Sequence, residues 1–558
     1  MGQYLNPGSQ RYQMTVNSKI FVDKTEMIRY LNTIINTQQR FVSVSRPRRF
    51  GKSVAADMVC AYYDREAEDR DLFVKRLIAK CLPIKITSKE ITWDEYLGKF
   101  DVIRIVMTDF IKSDQNVSNG LLKLSRLVVR DLVKKYPDID YYDKDDLIQS
   151  LQDVFDDTKR QFVIVIDEWD SVFRERKDDK EGQKKYLDFL RDLMKDKAYV
   201  ALAYMTGILP IKKYGKHSAL NMFTEYSMMF PRELAPYTGF TEKEVMELAY
   251  EYDRDFEEMK AWYDGYVVSG IIPPDPEHKE QKLTGRTPQS VKYALYSPLS
   301  VVEATTTGKI IDYWNKTETF EALAEFININ LDGLKDAVAL LMDGGRLKVD
   351  TSTYQNDMTT FTGRDDVLSL LIHLGYLGFD DEKSEVFIPN REIMDEFKSS
   401  TKDAEWLDTF ASFRTSLELV KATWAEDSDK VAELLEKAHN RADNKTYNDE
   451  AALSYAILYA YYAAEKYYTM LPELDAGKGY ADRVYIPRPQ YADKPVLIIE
   501  LKYEKDVDGA IAQIKRQEYP DRLEAYRGNI LLVGINYNRD AKNTSDEFKH
   551  HTCDIERA

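Results

Sequence analysis

The chain has 558 residues, a net charge of −17 and 44% hydrophobic residues. This balance is ordinary for a globular protein; it excludes collagenous and low-complexity chains and counts against a passive, basic nucleic-acid coat. At about 150 residues per domain, the length predicts three to four domains. The longest apolar runs are far shorter than the roughly 18 residues that span a bilayer, and the N-terminus lacks a secretory pattern. With three cysteines and no Cys-x-x-Cys spacing, we expect no disulfide scaffold, no zinc site, no membrane partner and a cytoplasmic location.

The first 235 residues alternate helical patterns with apolar strands. Asp23 and Glu26 predict the cap and capping box of an amphipathic helix, and another helix begins near Lys52 after a loop rich in Pro, Arg and Gly. Continuous apolar strands between helices predict a parallel sheet that is covered on both faces. The predicted strands are 40–45, 101–107, 162–166 and 199–205.

The middle of the chain has fewer strand patterns. Thr241 and Glu244 predict a capped helix start, and residues 267–295 predict a long loop. Between 360 and 400 a helix, an apolar hairpin and a second helix follow one another, which is the outline of a winged-helix module. Amphipathic helices over 403–440 predict a connector.

The pattern changes again from residue 447 onward. It becomes that of a small α/β domain with a core of its own. The predicted helices are 450–468 and 507–518, and the predicted strands are 483–486, 496–501 and 530–535.

A basic loop lies between a predicted strand and a predicted helix. Its sequence, Ser45–Ser53 (SRPRRFGKS), ends in Gly-Lys-Ser, as a phosphate-binding loop does. In such a loop, backbone N–H groups and the helix N-terminus surround the β-phosphate. Gly51 allows the backbone to approach closely, Lys52 reaches the β- and γ-phosphates, and Ser53 holds Mg²⁺. Because Arg46 stands where the usual first glycine would be, this segment alone also fits a basic loop capped by a helix.

A second motif decides between these two interpretations. The apolar strand Val163–Ile166 ends in Asp167 and Glu168, which is the arrangement of a Walker B strand. We expect Asp167 to bind Mg²⁺ and Glu168 to orient the attacking water. The next strand ends at Thr206, which we expect to contact the γ-phosphate or the water; a simple strand-end cap is the alternative. Together, the motifs predict that the protein binds ATP with Mg²⁺.

These motifs resemble those of the bacterial predicted AAA-ATPase-like family, whose members often carry a C-terminal PD-(D/E)XK nuclease-like domain. The resemblance covers nearly the whole chain, and the segment Ser45–Ser53 is its most specific part. The other segments that carry it are Phe21–Thr25, Ile166–Asp170, Thr206–Gly207, Gly239–Val245, Trp262–Tyr266, Tyr296–Ser300, Tyr313–Trp314 and Ile388–Asn390. The resemblance implies that Arg46 belongs to the family's own loop pattern.

The resemblance also implies an α/β protein with an AAA+-like parallel sheet and a second, smaller α/β domain. The expected parts are a P-loop ATPase domain (1–235), a helical lid with a winged-helix-like module (236–400), a helical connector (401–446) and a PD-(D/E)XK domain (447–558).

Three arginines and a phenylalanine of the loop complete the predicted nucleotide site. Arg46, Arg48 and Arg49 place three cations in four positions, followed directly by Phe50. The arginines either bind the triphosphate or pair with acids such as Asp170, and both interpretations remain open.

The C-terminal region contains the D…E-x-K pattern. Asp482 opens one predicted strand, and Glu500 and Lys502 share one face of the next because side chains alternate along a strand. Two carboxylates and the Leu501 carbonyl form an oxygen-rich site for Mg²⁺ or Mn²⁺. Lys502 can then position or deprotonate a water that attacks a phosphodiester. By itself the pattern is weak, because Glu-x-Lys is common on solvated strand faces.

The family resemblance strengthens the nuclease interpretation. Residues 477–482 resemble the family's Gly-x-Gly-x-Ala-Asp turn. Glu450 and Gln513 occupy the positions at which such nucleases carry a metal-proximal Glu and a helical Gln, so the resemblance implies that both take part in catalysis. His550 and His551 form no metal-ligand spacing, and we expect them to be solvated.

The predicted function is an ATP-binding and ATP-hydrolysing AAA+-like module coupled to a Mg²⁺-dependent nuclease that acts on DNA. ATP, DNA and further copies of the chain are the expected partners. One alternative is a non-cleaving nucleotide switch whose C-terminal domain only binds DNA or a protein; another is an ATPase motor without cleavage. The intact D…E-x-K residues favour the nuclease, whereas the acidic net charge favours the switch.

Overall fold

The computed structural model divides into two compact units, an N-terminal unit (Met1–Phe326 with Lys348–Glu396) and a C-terminal unit (Ile327–Leu347 with Phe397–Ala558). The residues that it describes are 2–67, 69–86, 89–112, 116–211, 220–272, 289–314, 321–329, 331–441, 457, 459–475, 480–503, 510–511, 523, 526, 528–538 and 550–558. Within them, no helix is both long enough and apolar enough to cross a membrane.

The helices of this described part are α1 (Gln10–Val16), α2 (Glu26–Ile34), α3 (Lys52–Tyr63), α4 (Arg70–Val74), α5 (Leu77–Lys80), α6 (Thr108–Ile111), α7 (Val117–Lys135), α8 (Leu147–Thr158), α9 (Ser171–Glu175), α10 (Lys180–Met194), α11 (Glu242–Glu251), α12 (Phe256–Tyr263), α13 (Pro298–Thr307), α14 (Glu321–Ile327), α15 (Leu334–Met342), α16 (Arg364–Leu374), α17 (Arg391–Ser400), α18 (Ala404–Trp424) and α19 (Ser428–Arg441). The strands are β1 (Phe41–Ser45), β2 (Ile84–Ile86), β3 (Lys89–Ile91), β4 (Asp101–Val106), β5 (Phe162–Asp167), β6 (Val200–Gly207), β7 (Thr224–Tyr226), β8 (Phe240–Thr241), β9 (Tyr266–Ile272), β10 (Gln289–Tyr296), β11 (Leu347–Lys348), β12 (Gly378–Asp380), β13 (Glu385–Phe387), β14 (Tyr468–Asp475), β15 (Tyr480–Pro487), β16 (Val496–Tyr503), β17 (Ile530–Tyr537) and β18 (His551–Arg557).

The main sheet of the N-terminal unit is parallel and has the strand order β4-β5-β6-β1-β7. Strand β6 lies between β1, which leads into the Gly-Lys-Ser loop, and β5, which ends in Asp167. Val44 of β1 is level with Thr206 of β6, and Ile166 of β5 is level with Met205. The three predicted motifs therefore meet at the carboxyl edge of the sheet, where open α/β sheets bind ligands. The predicted α/β class with a parallel sheet is confirmed.

Side-chain alternation along β5 builds a core on each face of this sheet. Phe162, Ile164 and Ile166 pack into one buried cluster, and Val163 and Val165 pack into the other. Each such side chain contributes about 1.5–3 kcal/mol when it is fully buried. Burial on both faces explains why the strand is a continuous apolar run, as the sequence indicated.

The two predicted capping boxes have different outcomes. At α11 the box is confirmed, because Thr241 N donates to Glu244 Oε2 at 2.7 Å and Glu244 N donates to Thr241 Oγ1 at 3.4 Å. At α2 the prediction is wrong, because the N-cap is Thr25 rather than Asp23. The Asp23 carboxylate instead accepts hydrogen bonds from the backbone N–H and the hydroxyl of Thr25, at 2.9 and 2.7 Å.

The predicted loop at 267–295 is wrong at both of its ends. Strands β9 and β10 pair antiparallel there, from Tyr266 opposite Leu295 to Ile272 opposite Gln289. Residues 273–288, which hold most of the Pro, Gly and Lys of the predicted loop, lie outside the described residues. The sequence signal was therefore a turn signal that we extended over the flanking strands.

The predicted outline of helix, hairpin and helix between 360 and 400 is confirmed. Helix α16 is followed by the antiparallel pair β12 and β13, and then by α17. The helix α16 ends at Gly375, whose φ of 91° is left-handed and marks the C-cap. The assignment of this outline to a winged-helix fold stays a prediction, as do the four domain boundaries.

The C-terminal unit contains a mixed sheet with the order β14-β15-β16-β17-β18, in which only the β16–β17 pair of the described strands is parallel. Helices α18 and α19 cover it, with Leu419 and Val431 packed into the same cluster as Leu497 and Leu531. Strands β14 and β18 were not predicted. The predicted helix 450–468 extends too far, because Tyr462–Lys466 forms a 3-10 helix and Tyr468 begins β14. Residues 450–456 and 458 of that prediction, and most of the predicted helix 507–518, lie outside the described residues.

Candidate functional site: a phosphate-loop cavity and an acidic strand end

A cavity of about 670 Å³ opens at the carboxyl edge of the parallel sheet in the N-terminal unit. Its volume is in the range of small-molecule and cofactor sites. The positively charged residues that line it are Arg48, Arg49, Lys52, Lys112 and Arg174, and the acidic ones are Glu168, Asp170 and Glu175. The cavity therefore has an excess of positive charge within a chain whose net charge is −17.

The cavity reaches the first turn of α3, where Gly51, Lys52 and Ser53 line it. Gly51 is the N-cap and has a φ of 80°, a conformation that favours glycine. A Cβ at this position would meet no atom within 4 Å, so the backbone faces open space. The first N–H groups of a helix lack intrahelical partners and attract anions. This is the geometry that the Gly-Lys-Ser sequence predicted.

Lys52 is held inside the loop that it follows. Its side chain is 8% exposed, and Nζ donates to the Pro47 carbonyl oxygen at 2.8 Å. Burial lowers the pKa of Lys52 to about 8, while the nearby Asp170 and Asp167 carboxylates act in the opposite direction. The cation thus contacts a neutral acceptor that a phosphate oxygen can replace.

The Walker B residues and Thr206 form one hydrogen-bonded group. The Thr206 hydroxyl donates to Asp167 Oδ1, and the Glu168 N–H donates to Thr206 Oγ1 at 3.4 Å. Glu168 has a φ of 54°, an uncommon conformation for a residue other than glycine, and it turns the chain at the strand end. The structure therefore brings together Asp167, Glu168 and Thr206, as their positions in the sequence predicted.

Arg46 lies behind the loop instead of lining the cavity. Its side chain is fully buried, and Nη1 donates to the carbonyl oxygens of Ser45 and Tyr226, each at 2.8 Å. Tyr226 lies on β7, so the guanidinium ties the start of the loop to the neighbouring strand. Burial lowers the pKa of Arg46 to about 10. Its position is that of a support for the loop, and its contact with nucleotide stays a prediction.

The remaining loop residues divide between the cavity and the interior. Arg48 and Arg49 line the cavity, and Arg49 Nη1 donates to the Trp314 carbonyl oxygen at 3.1 Å. Phe50 is fully buried, and its ring meets that of Tyr266 edge to face with the centroids 5.4 Å apart. Phe50 therefore anchors the loop, while the two arginines remain beside the space where phosphates are expected.

Arg174 is a cavity residue that sequence reasoning missed. Its Nη2 lies 3.2 Å from Glu168 Oε2, and its Nε lies 3.3 Å from Asp170 Oδ2. We had considered the loop arginines as partners of Asp170, but the partner that the structure describes is Arg174, one helical turn later. The spacing of four residues between an acid and an arginine was the available signal.

Several of the family-like segments meet around Glu392, which was also missed. Glu392 Oε1 accepts hydrogen bonds from the N–H groups of Tyr313 at 2.7 Å and Trp314 at 2.9 Å, and Oε2 accepts from the Ser300 hydroxyl at 2.9 Å. Burial raises the pKa of Glu392 to about 7. Ser300 lies on α13, whose first turn lines the cavity, and the Trp314 carbonyl holds Arg49. Glu392 therefore supports two walls of the site.

In the C-terminal unit, Glu500 and Lys502 lie on the same face of β16, as predicted. Glu500 is 1% exposed, and Lys502 Nζ donates to its Oε1 at 2.9 Å. Arg483 of β15 is opposite Ile499 of β16, and the two strands are antiparallel. Asp482 and Glu500 each adjoin that pair on the same side, so they lie at the same end of the sheet. Leu501 lies between Glu500 and Lys502 in β16, and its side chain is buried in the core.

The rest of the predicted nuclease site is not described. Glu450 and Gln513 lie outside the described residues, as does the side chain of Asp482. Among the described side chains, no group of three or more His, Cys, Asp or Glu has the arrangement of a metal site. The predicted metal site at Asp482, Glu500 and Leu501 therefore stays a prediction.

The expectation that the two terminal histidines are solvated is wrong for His551, which is buried. The Nδ1 atoms of His550 and His551 lie 2.8 and 2.9 Å from the two oxygens of Glu436. Although burial acts against it, hydrogen bonds from the two imidazoles lower the pKa of Glu436 to about 2. The pair joins β18 to α19 and has a structural role.

Comparisons with known families agree with this division of the molecule. Residues 8–215 match the family model described as Predicted AAA-ATPase, and residues 449–547 match that of the PD-(D/E)XK nuclease superfamily. These matches cover two separate parts of the chain, an AAA-ATPase-like region and a C-terminal region similar to the PD-(D/E)XK nuclease superfamily. The resemblance that the sequence motifs indicated is thus confirmed.

The similarity to solved structures is weak. One similar solved structure is that of the ORC2 protein of Aeropyrum pernix in ADPNP–ADP complexes, with 10% identity and a TM-score of 0.27. The alignment covers 69% of this chain and 96% of that chain. A TM-score this low supports no inference. No curated protein matches the sequence.

The AAA-ATPase region contains a second, apolar cavity of about 190 Å³ beside the first. The two cavities share Gly51, Val54, Pro298 and Val302. The aromatic residues that line the second one are Tyr12, Phe21, Phe50, Tyr237 and Phe240. Sequence reasoning did not find this cavity, because its residues come from segments far apart in the chain.

Proposed function

We propose that this chain binds and hydrolyses ATP with Mg²⁺ in its AAA-ATPase region and cleaves DNA with Mg²⁺ or Mn²⁺ in its PD-(D/E)XK region. In this proposal the nucleotide state controls or positions the nuclease. The observation that carries the ATPase part is the basic cavity in which Lys52, the N-terminus of α3 and Glu168 meet.

The charge of the cavity supports a polyanionic ligand. Five cationic side chains line it against three carboxylates, and Lys52 donates to a neutral carbonyl of its own loop. A triphosphate compensates this excess and accepts from the exposed N–H groups of the first helical turn. Lys52 is then the cation of the loop itself, and Arg48 and Arg49 are additional contacts.

The apolar cavity next to Gly51 supports a ligand that also has an aromatic part. Rings of Phe21, Phe50 and Phe240 line it, and α13 forms a wall of both cavities through Pro298 and Val302. A nucleoside base fits such a surface, since flat rings stack on or pack edge to face against aromatic side chains. The two joined cavities thus match the two chemical halves of ATP.

The residues present also fit Mg²⁺. Ser53 lines the cavity, and Asp167 lies at the end of the strand two positions away in the sheet. Mg²⁺ usually keeps several waters and takes its remaining ligands from one or two protein oxygens and the phosphates, so a cage of three carboxylates is not required. When bound, the ion neutralises phosphate charge. Glu168, whose side chain is 39% exposed, is the group that orients the attacking water.

The nuclease part of the proposal is supported by the position of Asp482 next to Glu500 at one end of the sheet. Two carboxylates there can share a divalent ion, with Lys502 beside the attacking water. One observation favours the alternative, a non-cleaving nucleotide switch. Lys502 already compensates the charge of Glu500 through a direct ion pair, so the described residues have no need of a metal for charge balance.

The decisive experiment measures ATP hydrolysis and DNA cleavage by the full chain. Linear, circular and single-stranded DNA are incubated with Mg²⁺ or Mn²⁺, with and without ATP, for the wild type, Lys52→Ala and Lys185→Ala. Lys185 is an exposed lysine paired with Glu181 on α10, and its removal is a matched control. We expect Lys52→Ala to abolish hydrolysis and the ATP dependence of cleavage, and Lys185→Ala to behave as the wild type.

Each outcome decides one part of the proposal. ATP hydrolysis that survives Lys52→Ala contradicts the ATPase assignment. Intact DNA under every condition, together with normal ATP hydrolysis, contradicts the nuclease and favours the switch or a motor. Light scattering with and without ATP tests the proposed homo-oligomer.

A further inference from the structure

Two cations of the basic cavity, Lys112 and Arg174, have no role in the proposed function so far, and Arg174 is the one that contacts Glu168. Arg174 lies on the short helix α9, and its side chain is only 8% exposed. It pairs with three carboxylates, of which Glu168 at 3.2 Å and Asp170 at 3.3 Å are nearer than Glu175 at 4.0 Å. The guanidinium therefore joins the residue expected to orient water to a second acid inside the cavity.

The two nearer partners of Arg174, Asp170 and Glu168, differ in how firmly the surrounding structure holds them. Asp170 is fully buried, and its Oδ2 accepts hydrogen bonds from the N–H groups of Ile208 at 3.0 Å and Leu209 at 2.9 Å. The Glu168 side chain is 39% exposed and projects from a strand end with a φ of 54°. Asp170 is thus a fixed anchor for Arg174, whereas Glu168 is the partner that can move.

The charge of Arg174 acts on the same space as that of Lys52. Both side chains line the cavity, and after burial the Arg174 guanidinium is a further cause that lowers the pKa of Lys52. Two cations this close are stabilised by an anion between them. A guanidinium has five N–H donors in a planar fork, so it can stay on Asp170 and still bind a phosphate.

We propose that Arg174 is a positioning residue that responds to the γ-phosphate and controls Glu168. This inference rests on the ATPase function proposed above. Without a γ-phosphate, Arg174 pairs with Glu168 and holds it away from the attacking water. The γ-phosphate of a nucleoside triphosphate draws the guanidinium away from Glu168, while Asp170 retains it, and the released carboxylate becomes free to orient water.

The test compares the affinities of the full chain for ADP and for a non-hydrolysable ATP analogue, by calorimetry, with the hydrolysis rate measured in parallel. The variants are Arg174→Ala, Arg174→Lys and Arg126→Ala. Arg126 is an exposed arginine paired with Asp145 and is the matched control. We expect Arg174→Ala to weaken binding of the ATP analogue at least 10-fold and ADP binding less than 2-fold. Arg174→Lys should retain part of this discrimination, because it keeps the charge but not the fork.

A double-mutant cycle isolates the contact between Arg174 and Glu168. Glu168→Gln removes the ion pair that the γ-phosphate must break, so it should tighten binding of the ATP analogue at least 3-fold. In the Arg174→Ala background the same change should have no effect, because the pair is already absent.

The outcomes separate this inference from the ATPase proposal. Equal loss of ADP and ATP-analogue binding in Arg174→Ala and Arg174→Lys overturns the inference and indicates a structural role. The inference is also overturned if Glu168→Gln changes affinity equally with and without Arg174. If the wild type binds neither nucleotide, both proposals are overturned. If Arg174→Ala hydrolyses ATP at the normal rate, only the inference about Arg174 is overturned. If Arg174→Ala does not fold, Arg174→Lys and the Glu168→Gln comparison decide.

Discussion

The two units each contain a lysine next to acidic residues, and the lysines have different partners. Lys52 is 8% exposed and donates to the neutral Pro47 carbonyl oxygen, whereas Lys502 is 9% exposed and donates to the Glu500 carboxylate. Burial is thus nearly equal, and the difference lies in charge compensation. Lys52 can exchange a neutral acceptor for a phosphate, while a metal near Lys502 has to compete with an ion pair that is already formed.

This difference bears on how complete each site is. In the N-terminal unit, residues from the loop, two strand ends and α13 already surround a cavity, so a ligand mainly adds negative charge. In the C-terminal unit, the described residues form a compensated pair, and the proposed cleavage requires that pair to open around a divalent ion. Substitutions in each unit test this difference.

Asp482→Ala and Lys502→Ala should separate metal binding from cleavage. Asp482→Ala removes one of the two expected carboxylate ligands, so Mn²⁺ binding and DNA cleavage should both be lost. Lys502→Ala should abolish cleavage but bind Mn²⁺ more tightly than the wild type, because the metal no longer competes with the ion pair to Glu500. Calorimetry and a cleavage assay measure both effects. A wild type that binds no Mn²⁺ and cuts no DNA with any metal would falsify the nuclease assignment.

Glu168→Gln should lower the rate of ATP hydrolysis about 10²–10⁴-fold, the usual contribution of a positioned general base. ATP binding should persist, because Lys52 and Asp167 remain. Rapid-quench measurement of phosphate release, together with equilibrium binding, distinguishes the two effects. The control is Glu181→Gln, which changes an exposed glutamate on α10. Hydrolysis at the wild-type rate in Glu168→Gln would assign the water to another residue.

Glu392→Gln should remove a pH dependence of stability. Burial raises the pKa of Glu392 from 4.5 to about 7, so the folded state binds the proton more tightly than the unfolded state. The stability from this group is fully present below about 4.5 and is lost as the pH rises through about 7. We expect the wild type to lose up to roughly 3 kcal/mol relative to Glu392→Gln between these limits.

Urea unfolding of the full chain between pH 4.5 and 8 checks this prediction. Glutamine retains an acceptor for the N–H groups of Tyr313 and Trp314 and adds a donor for Ser300, so the variant should fold. If the free energy of unfolding of the wild type and of Glu392→Gln depends on pH in the same way, Glu392 is ionised over the whole range. The hydrogen bonds that it accepts from N–H groups favour that ionised form.

Gly375→Ala should destabilise the protein more than Gly308→Ala. Both glycines have a left-handed φ, 91° and 70°, so each change is expected to have a backbone penalty of about 1 kcal/mol. At Gly375 a Cβ would also lie 2.7 Å from Pro47 Cβ, whereas at Gly308 the nearest atom is at 3.4 Å on the flexible Arg254. Overpacking of this kind adds about 1–3 kcal/mol.

Because Pro47 belongs to the phosphate loop, Gly375→Ala should also raise the KM for ATP, and Gly308→Ala should not. Thermal unfolding and steady-state kinetics measure the two effects. Equal losses of stability in the two variants would show that the contact between α16 and the loop is loose.

The sequence alone was sufficient wherever nearby residues decide the local structure. The start of α3 at Lys52 follows from Gly-Lys-Ser, and the box at Thr241 and Glu244 forms because both partners lie within one helical turn. Apolar strands such as Val163–Ile166 are recognised because burial on both faces requires an apolar residue at every position. These signals were enough for the fold class, for the resemblance of the two matched regions and for bringing the three motifs together around the phosphate loop.

Tertiary structure decided which distant groups meet. From the sequence, Arg46 is a candidate for binding phosphate. In the structure, it donates to the carbonyl oxygen of Tyr226, 180 residues away, and lies behind the loop. Glu392 is buried, which raises its pKa, and it accepts hydrogen bonds from backbone segments 78 and 79 residues away. His551 of β18 pairs with Glu436 of α19, 115 residues earlier in the chain. Hydrogen bonds and burial depend on distance in space, and a pattern along the chain contains no information on those distances until the sheet and helices are assembled.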